Sequence, residues 1–184
     1  MDATRFTELA LTNEANRAVL SLLPDLGVAD SWLVSGCLFQ TVWNALTGRA
    51  PGYGIKDYDI FYFDPDTSWE AEDRAIRRGQ EVFADLGVEM EIRNQARVHL
   101  WYEEKFGRPY PPLTKATDGI DRFLAPACMV GISASGEIYA PKGFGDVEDM
   151  VIRPNPVANF DAEELARKAA RWKEKWPEVL LVEG

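Results

Sequence analysis

Asp57 and Asp59 stand one residue apart in GYGIKDYDIFYFD, residues 52–64, at the mouth of an apolar run. In a strand, successive side chains point to opposite faces, so both carboxylates aim the same way. Adjacent negative charges repel, and each disfavours ionisation of the other. A hard divalent cation resolves that conflict. Magnesium takes oxygen ligands and is commonly held by one or two carboxylates plus substrate phosphates. The same pair also reads as a solvated start to a strand, and an Asp-x-Asp alone does not separate the two readings.

Two further groups bear on the same chemistry. In LVSGCLFQ, Ser35 and Gly36 lie between a strand-like run and a helical pattern. A helix N-terminus offers unpaired N–H groups and the positive end of a dipole, so it favours phosphate. Small residues let a ligand reach that backbone. The alternative is that Ser35 caps the helix and Gly36 makes the turn. In VEMEIRN, Glu89 and Glu91 share a face of the next strand. Beside the Asp-x-Asp strand, one of them would complete an acidic triad able to bind two metal ions and deprotonate an attacking hydroxyl. Glu91, deeper in the strand, is the expected member, with Glu89 as the alternative.

Polar residues cluster after that strand: Arg93, Asn94, Gln95, Arg97 and His99. Arg93 or Arg97 suits phosphate, because a planar guanidinium matches its oxygens. Lys56 reads as a counter-charge to the acids or as a phosphate contact. His99 is the only histidine and stands among Val98, Leu100 and Trp101, which favours a structural role. Arg153 in VIRPNP either supports the site or pairs with a surface acid.

Several elements must position these residues. TNEANRAVLSLLPDLG has helical spacing, with Thr12 or Asn13 as cap and Pro24 as stop. SWLVSG reads as a short buried strand, and CLFQTVWNALTG as a helix with Leu38, Val42, Ala45 and Leu46 inward and Gly48 as stop. RAPGYG is a loop, and KDYDIFYFD is the second strand. DTSWEAEDRAIRRGQEVFADLG is a helix, with Thr67 and Glu70 as capping box and Gly87 at its end. VEMEIRN is the third strand. The aromatic, Pro-broken stretch to residue 124 reads as part helix, part loop. ACMVGISASGEIYAP is a hairpin turning at Ser135-Gly136. A helical turn begins FGDVEDM. Residues 159–178 form a final amphipathic helix with Phe160, Leu165, Ala169, Trp172 and Trp176 along one side. This order gives an α/β (α+β) fold with a central mixed sheet flanked by helices.

The chain has 184 residues, 46% of them hydrophobic and 27% charged, which suits one domain over residues 1–184 with a real core. Six tryptophans, six tyrosines and nine phenylalanines argue against disorder. The net charge of −10 counts against a generic nucleic-acid binder, which needs a basic face. Long nucleic acid is therefore an unexpected acceptor. Cys37 and Cys128 fit neither a disulfide framework nor a zinc motif and read as buried free thiols. No signal peptide or membrane span is expected, and cytoplasm is the expected compartment.

Together LVSG, DYDIF and VEMEI resemble the nucleotidyltransferase superfamily of DNA polymerase beta. Its pattern is a strand, a small-small turn, a helix, an acidic-x-acidic strand, and a third carboxylate on a later strand. More narrowly, GIKDYDIFYFD, EIRNQARVHLWYEEKFG and VIRPNP look like a bacterial nucleotidyltransferase family, similar to the head domain of CCA-adding enzymes. The resemblance runs over roughly residues 15–160. It implies a nucleotidyltransferase-like fold and Mg2+, or Mn2+, held by Asp57, Asp59 and Glu91. It implies a nucleoside triphosphate whose β- and γ-phosphates face Ser35 and Gly36, and an in-line attack by an acceptor hydroxyl at the α-phosphorus. Lys56, Arg93 and Arg97 are the candidate phosphate contacts. Two departures stand out. The superfamily turn is usually Gly followed by Gly or Ser, whereas here it is Ser35-Gly36. TGRAPGYGIK also lengthens the path to the aspartates.

Two other Asp-x-Asp chemistries fit less well. In a haloacid-dehalogenase-type phosphatase the apolar strand precedes the first Asp, whereas here IFYF follows it. Sugar-nucleotide glycosyltransferases are usually longer. The serious rival is a nucleotide- or partner-binding module with weakened catalysis on the same fold. The base, the acceptor and the oligomeric state leave no trace in the sequence.

Overall fold

The computed structural model describes residues 1–158 and 162–182. Helix α1 (Ala3–Ala10) opens the chain, and the Asp2 side chain accepts from Arg5 N–H at its start. Sequence patterning gave no expectation for it. Its Phe6 is fully buried and stacks on Phe144 at 4.6 Å. Helix α2 (Glu14–Leu22) is capped by Asn13, whose side chain accepts from Ala15 N–H at 2.9 Å. The Asn13 amide then donates to Tyr58 Oη at 3.1 Å, tying the cap to the sheet.

The described residues form a five-stranded sheet. Its strands are β1 (Trp32–Val34), β2 (Asp57–Tyr62), β3 (Glu89–Asn94), β4 (Gly131–Ser133) and β5 (Ile138–Tyr139), in the order β3-β2-β1-β4-β5. β1 pairs antiparallel with β2 and β4, β4 with β5 likewise, and β2 runs parallel to β3. A parallel pair needs a crossover. Helix α4 (Trp69–Val82) supplies it, packing closely on β3. Gly79 permits that approach, because a Cβ there would lie 2.0 Å from Ile92 Cδ1. Ser68, not Thr67, caps α4: its hydroxyl accepts from Ala71 N–H at 3.3 Å. The cap thus sits one residue after Thr67, and three residues on from Ser68 stands Ala71 rather than the Glu70 of the expected box.

Helix α3 (Gly36–Leu46) follows β1 and is buried along most of its length. Cys37, Leu38, Phe39, Val42 and Trp43 are inside, whereas Ala45 and Leu46, expected inward, are exposed. The sheet separates two apolar clusters. Leu33, Tyr58, Ile60 and Tyr62 join the main core with α1, α2 and α3. Trp32 and Val34 turn to the other side, onto Ala116 and Ile120 of helix α6 (Ala116–Ile120), with Phe61 packed alongside. Helix α5 (Val98–Phe106) lies between β3 and α6 in the chain.

After β5 come α7 (Gly145–Glu148), β6 (Val151–Ile152), α8 (Ala162–Lys175) and β7 (Leu180–Leu181), with β6 and β7 in a small parallel sheet. Leu165 and Ala169 of α8 are buried as the apolar pattern requires. Phe160 lies outside the described residues. Trp176, just past the helix, is fully buried. Its ring lies 5.6 Å from that of Trp43, and its Nε1–H donates to Asn44 Oδ1 at 2.8 Å. Among the described residues no helix is long and apolar enough to cross a membrane.

This anchor holds α8 against α3. Trp176→Ala is expected to cost about 3–5 kcal/mol, the usual range for truncating a buried aromatic. Trp176→Phe keeps most of the volume but leaves Asn44 Oδ1 without its donor, at about 1–3 kcal/mol. Urea unfolding of the two variants would check the order; equal, near-zero effects would show that α8 is not docked through Trp176.

Candidate active site

The turn between β1 and α3 is held by its backbone. Ser35 has φ 56° and ψ −115°, a left-handed conformation that costs a non-glycine residue strain. Its N–H donates to Val130 O at 2.9 Å, and its carbonyl accepts from Leu38 N–H at 2.9 Å and Phe39 N–H at 3.1 Å. The hydroxyl makes no cap bond, so Ser35 is not a side-chain cap. The first turn of α3 carries no acidic residue, which leaves the positive end of the helix without a carboxylate of its own.

The strand register brings the acids to this turn. Val34 pairs with Asp59, so the second aspartate lies beside the residue preceding Ser35. On the other side Asp57 pairs with Glu89, and Asp59 with Glu91. Tyr58, Ile60 and Tyr62 point into the core, which leaves Asp57 and Asp59 together on the opposite face. Glu89 is exposed, whereas Glu91 lines the same cleft as both aspartates.

That cleft measures about 610 Å³ and holds Ser35, Gly36, Asp57, Asp59 and Glu91. Burial pushes the Asp59 carboxyl up to about 7, helped by repulsion from Asp57 and Glu91 and opposed by Lys168 and Arg93. Asp59 is thus held mainly out of water, beside two other acids. Among the described residues, no three acidic, His or Cys side chains stand close enough together to hold a metal ion. Glu91 leans toward Arg93, at 3.9 Å, and Lys56 Nζ lies 3.1 Å from Asp57. The aspartate pair fits a divalent cation by charge and shared face; Glu91 would have to turn from Arg93 to join it.

The remaining sequence candidates divide. Lys56, Arg93 and Gln95 line the cleft. Arg97 does not: it pairs with Glu72 of α4 at 2.8 Å, with both side chains nearly buried, so it is committed to the α4–β3 packing rather than to a phosphate. The Asn94 side chain braces the loop after β2, accepting from Asp64 N–H at 3.1 Å and donating to Asp64 O at 2.9 Å. His99 lies outside the cleft, with a buried Nδ1. Arg153 pairs with Asp146 at 2.8 Å. Cys37 and Cys128 are free and buried, and burial raises both thiols, Cys128 to about 12.

The sequence reading missed the cations. Lys168, Arg171 and Lys175 of α8 face the cleft, joined by Lys105 and Arg122. Among the described residues seven Lys or Arg line it against four carboxylates, in a chain with 20 basic and 30 acidic residues. The cleft is thus a positive concavity in an acidic protein, which focuses an anion's approach. The signal was present as spacing: Lys168, Arg171 and Lys175 are three and four residues apart, one helical face.

A β1–turn–α3 unit with acids on the adjoining strand defines a nucleotidyltransferase-like fold. A solved structure, described as an NMR structure that reveals a CCA-adding enzyme head domain, matches with a TM-score of 0.79 at 24% identity, covering 100% of this chain and 97% of that one. Residues 21–181 match the family model described as nucleotidyltransferase, so the chain belongs to that family. No curated protein matches the sequence.

Two outcomes follow from the geometry. A carboxyl raised from about 4 unfolded to about 7 folded costs no native stability below pH 4. The cost grows between pH 4 and 7 and stands in full above 7. Asp59→Asn should therefore stabilise the metal-free protein above pH 7, on the order of 2 kcal/mol, with the advantage fading toward pH 4. Melting temperatures across pH 4–9 would show it, and a pH-independent difference would refute it. Ser35→Gly should relieve the strained φ and raise stability by about 1 kcal/mol. A melting curve checks the sign; destabilisation would mean that the serine hydroxyl holds the turn.

Proposed function

We propose that the protein transfers a nucleoside monophosphate from a nucleoside triphosphate to an acceptor hydroxyl, with Mg2+ or Mn2+ as cofactor. One observation carries this reading: the carboxylate face of β2 and the start of α3, which no side chain caps, share a cleft with Lys168 and Arg171 of α8. Carboxylates alone would repel a triphosphate, and cations alone would not hold a metal. Their opposition suits a metal–triphosphate complex.

In this reading Asp57 and Asp59 hold the cation, which supplies neutralisation of the triphosphate charge. The Gly36 backbone N–H and the Ser35 hydroxyl face the β- and γ-phosphates, since the Ser35 N–H is held by Val130 O. Lys168 and Arg171 take the outer oxygens, with Lys56 and Arg93 nearer the acids. Glu91 orients the acceptor hydroxyl. The hydroxyl oxygen bonds to the α-phosphorus, its proton passes to the medium, the bond to the β-phosphate oxygen breaks, and pyrophosphate leaves. Catalysis comes mainly from positioning and charge stabilisation.

The lean of Glu91 toward Arg93 favours a second reading, a nucleotide-binding module with weak catalysis. The two free thiols fit a reducing compartment, and we infer the cytoplasm.

Calorimetry with the four ribonucleoside triphosphates, with and without Mg2+, tests the proposal. Wild type should bind at least one of them in a Mg2+-dependent way. Asp57→Asn/Asp59→Asn should lose that dependence, and Lys168→Gln/Arg171→Gln should weaken binding about 10- to 100-fold. No binding to the folded wild-type protein would overturn the transferase reading. Binding that survives Asp57→Asn/Asp59→Asn would point to the module.

A further inference from the structure

Helix α5 keeps few of its side chains in the core. Of its residues Val98 alone is buried, while Leu100 and Phe106 are 54% and 42% exposed. Trp101 and Tyr102 are half-buried and belong to neither apolar cluster. They pack instead on one another and on the following loop. The Tyr102 ring lies 4.6 Å from Phe106 and 4.5 Å from Tyr110, and Trp101 lies 6.0 Å from Tyr102.

Two cations rest on this aromatic cluster. Lys105 Nζ is 5.5 Å from the Trp101 ring, and the Arg122 guanidinium is 5.3 Å from that of Tyr110. Neither forms an ion pair among the described residues, although acids outnumber bases 30 to 20 in the chain. Trp101, Tyr102, Lys105, Tyr110 and Arg122 all line the cleft that holds Asp57 and Asp59. In the proposed reading the acids, the α3 turn and the α8 cations already serve the metal–triphosphate. The α5 wall is furnished beyond that need. Aromatic faces accept a planar ring by stacking, and unpaired Lys and Arg accept an anionic group beside it.

We infer that α5, Tyr110 and Arg122 form the acceptor subsite, and that the acceptor is a small planar aromatic molecule bearing an anionic group, of the nucleoside-monophosphate kind. This rests on the transferase reading. Its hydroxyl oxygen bonds to the α-phosphorus, the α–β P–O bond breaks with its electron pair leaving on pyrophosphate, and the hydroxyl proton passes to the medium. The protein's net charge of −10 opposes a polynucleotide, while the positive cleft draws a small anion.

The test is a titration of wild type with AMP and with UMP, with the donor site filled by Mg2+ and a non-hydrolysable triphosphate. Adenosine, inorganic phosphate and a short oligoribonucleotide serve as comparison probes. A mononucleotide should bind, with adenosine and phosphate each weaker by about 10-fold or more. Lys105→Gln/Arg122→Gln, shown folded by its melting curve, should weaken the mononucleotide about 10-fold or more, and Lys105→Gln alone less. Arg78→Gln, in a surface pair with Glu81, is the control and should change nothing. Unchanged mononucleotide affinity in Lys105→Gln/Arg122→Gln overturns the inference, and so does tighter binding of the oligonucleotide. Failure of the triphosphate to bind wild type overturns the parent reading instead. The mononucleotide titration of the free protein then still decides whether the α5 wall binds an aromatic anion.

Discussion

The antiparallel pairing of β1 with β2 is the constraint on which the site depends. Val34 opposite Asp59 puts a carboxylate next to the turn that starts α3. A slip of one residue would exchange the faces of β2, burying the aspartates and exposing Tyr58, Ile60 and Tyr62. The register is therefore enforced by the core. Three large side chains of β2 must face inward, so Asp57 and Asp59 must face the cleft. The hydrophobic effect fixes the geometry, and the electrostatic conflict between the acids is its consequence. Asp59, pushed up to about 7, records the cost of holding it half-buried beside two other carboxylates.

A second constraint comes from the far end of the chain. α8 contributes little buried surface through its own length, with Leu165 and Ala169 inside. Its docking is completed by Trp176, wedged against Trp43 and Tyr53, and by Trp172 against Phe39. The same docking turns Lys168, Arg171 and Lys175 toward the cleft. Aromatic packing thus places cations about 110 residues away in sequence from the aspartates they oppose. Lys175 also donates to Gly54 O at 2.7 Å, which couples α8 to the loop leading into β2.

Much of the fold was legible because its signals are local. The alternation in KDYDIFYFD gave both the strand and the shared face of Asp57 and Asp59, and the hairpin at Ser135-Gly136 followed from turn chemistry. Misreadings arose where packing overrode a local rule. Ala45 and Leu46 fit helical periodicity, but α3 is buried near its start and its end emerges at the surface, so both are exposed. Thr67 satisfied the capping spacing, yet Ser68 sits where the chain turns in. Arg97 has the right chemistry for phosphate, but pairing depends on which face of the turn after β3 it takes, and that face meets Glu72. The α8 and α5 contributions were illegible for a different reason. Spacing shows that residues share a face, not which distant element that face meets.

Ser35 joins these threads. Local preference asks for glycine at φ 56°, and the chain keeps serine there, with Gly36 following. The turn survives because backbone bonds to Val130, Leu38 and Phe39 over-determine it. Such a turn leaves the first N–H groups of α3 without side-chain caps, which an isolated helix would not favour. Uncapped donors, a strained residue and a repelled carboxylate are each unfavourable alone. Gathered within one cleft, they are the arrangement that an anion and a cation together would relieve. On the proposed function, the free energy withheld from the unliganded protein would be available to binding.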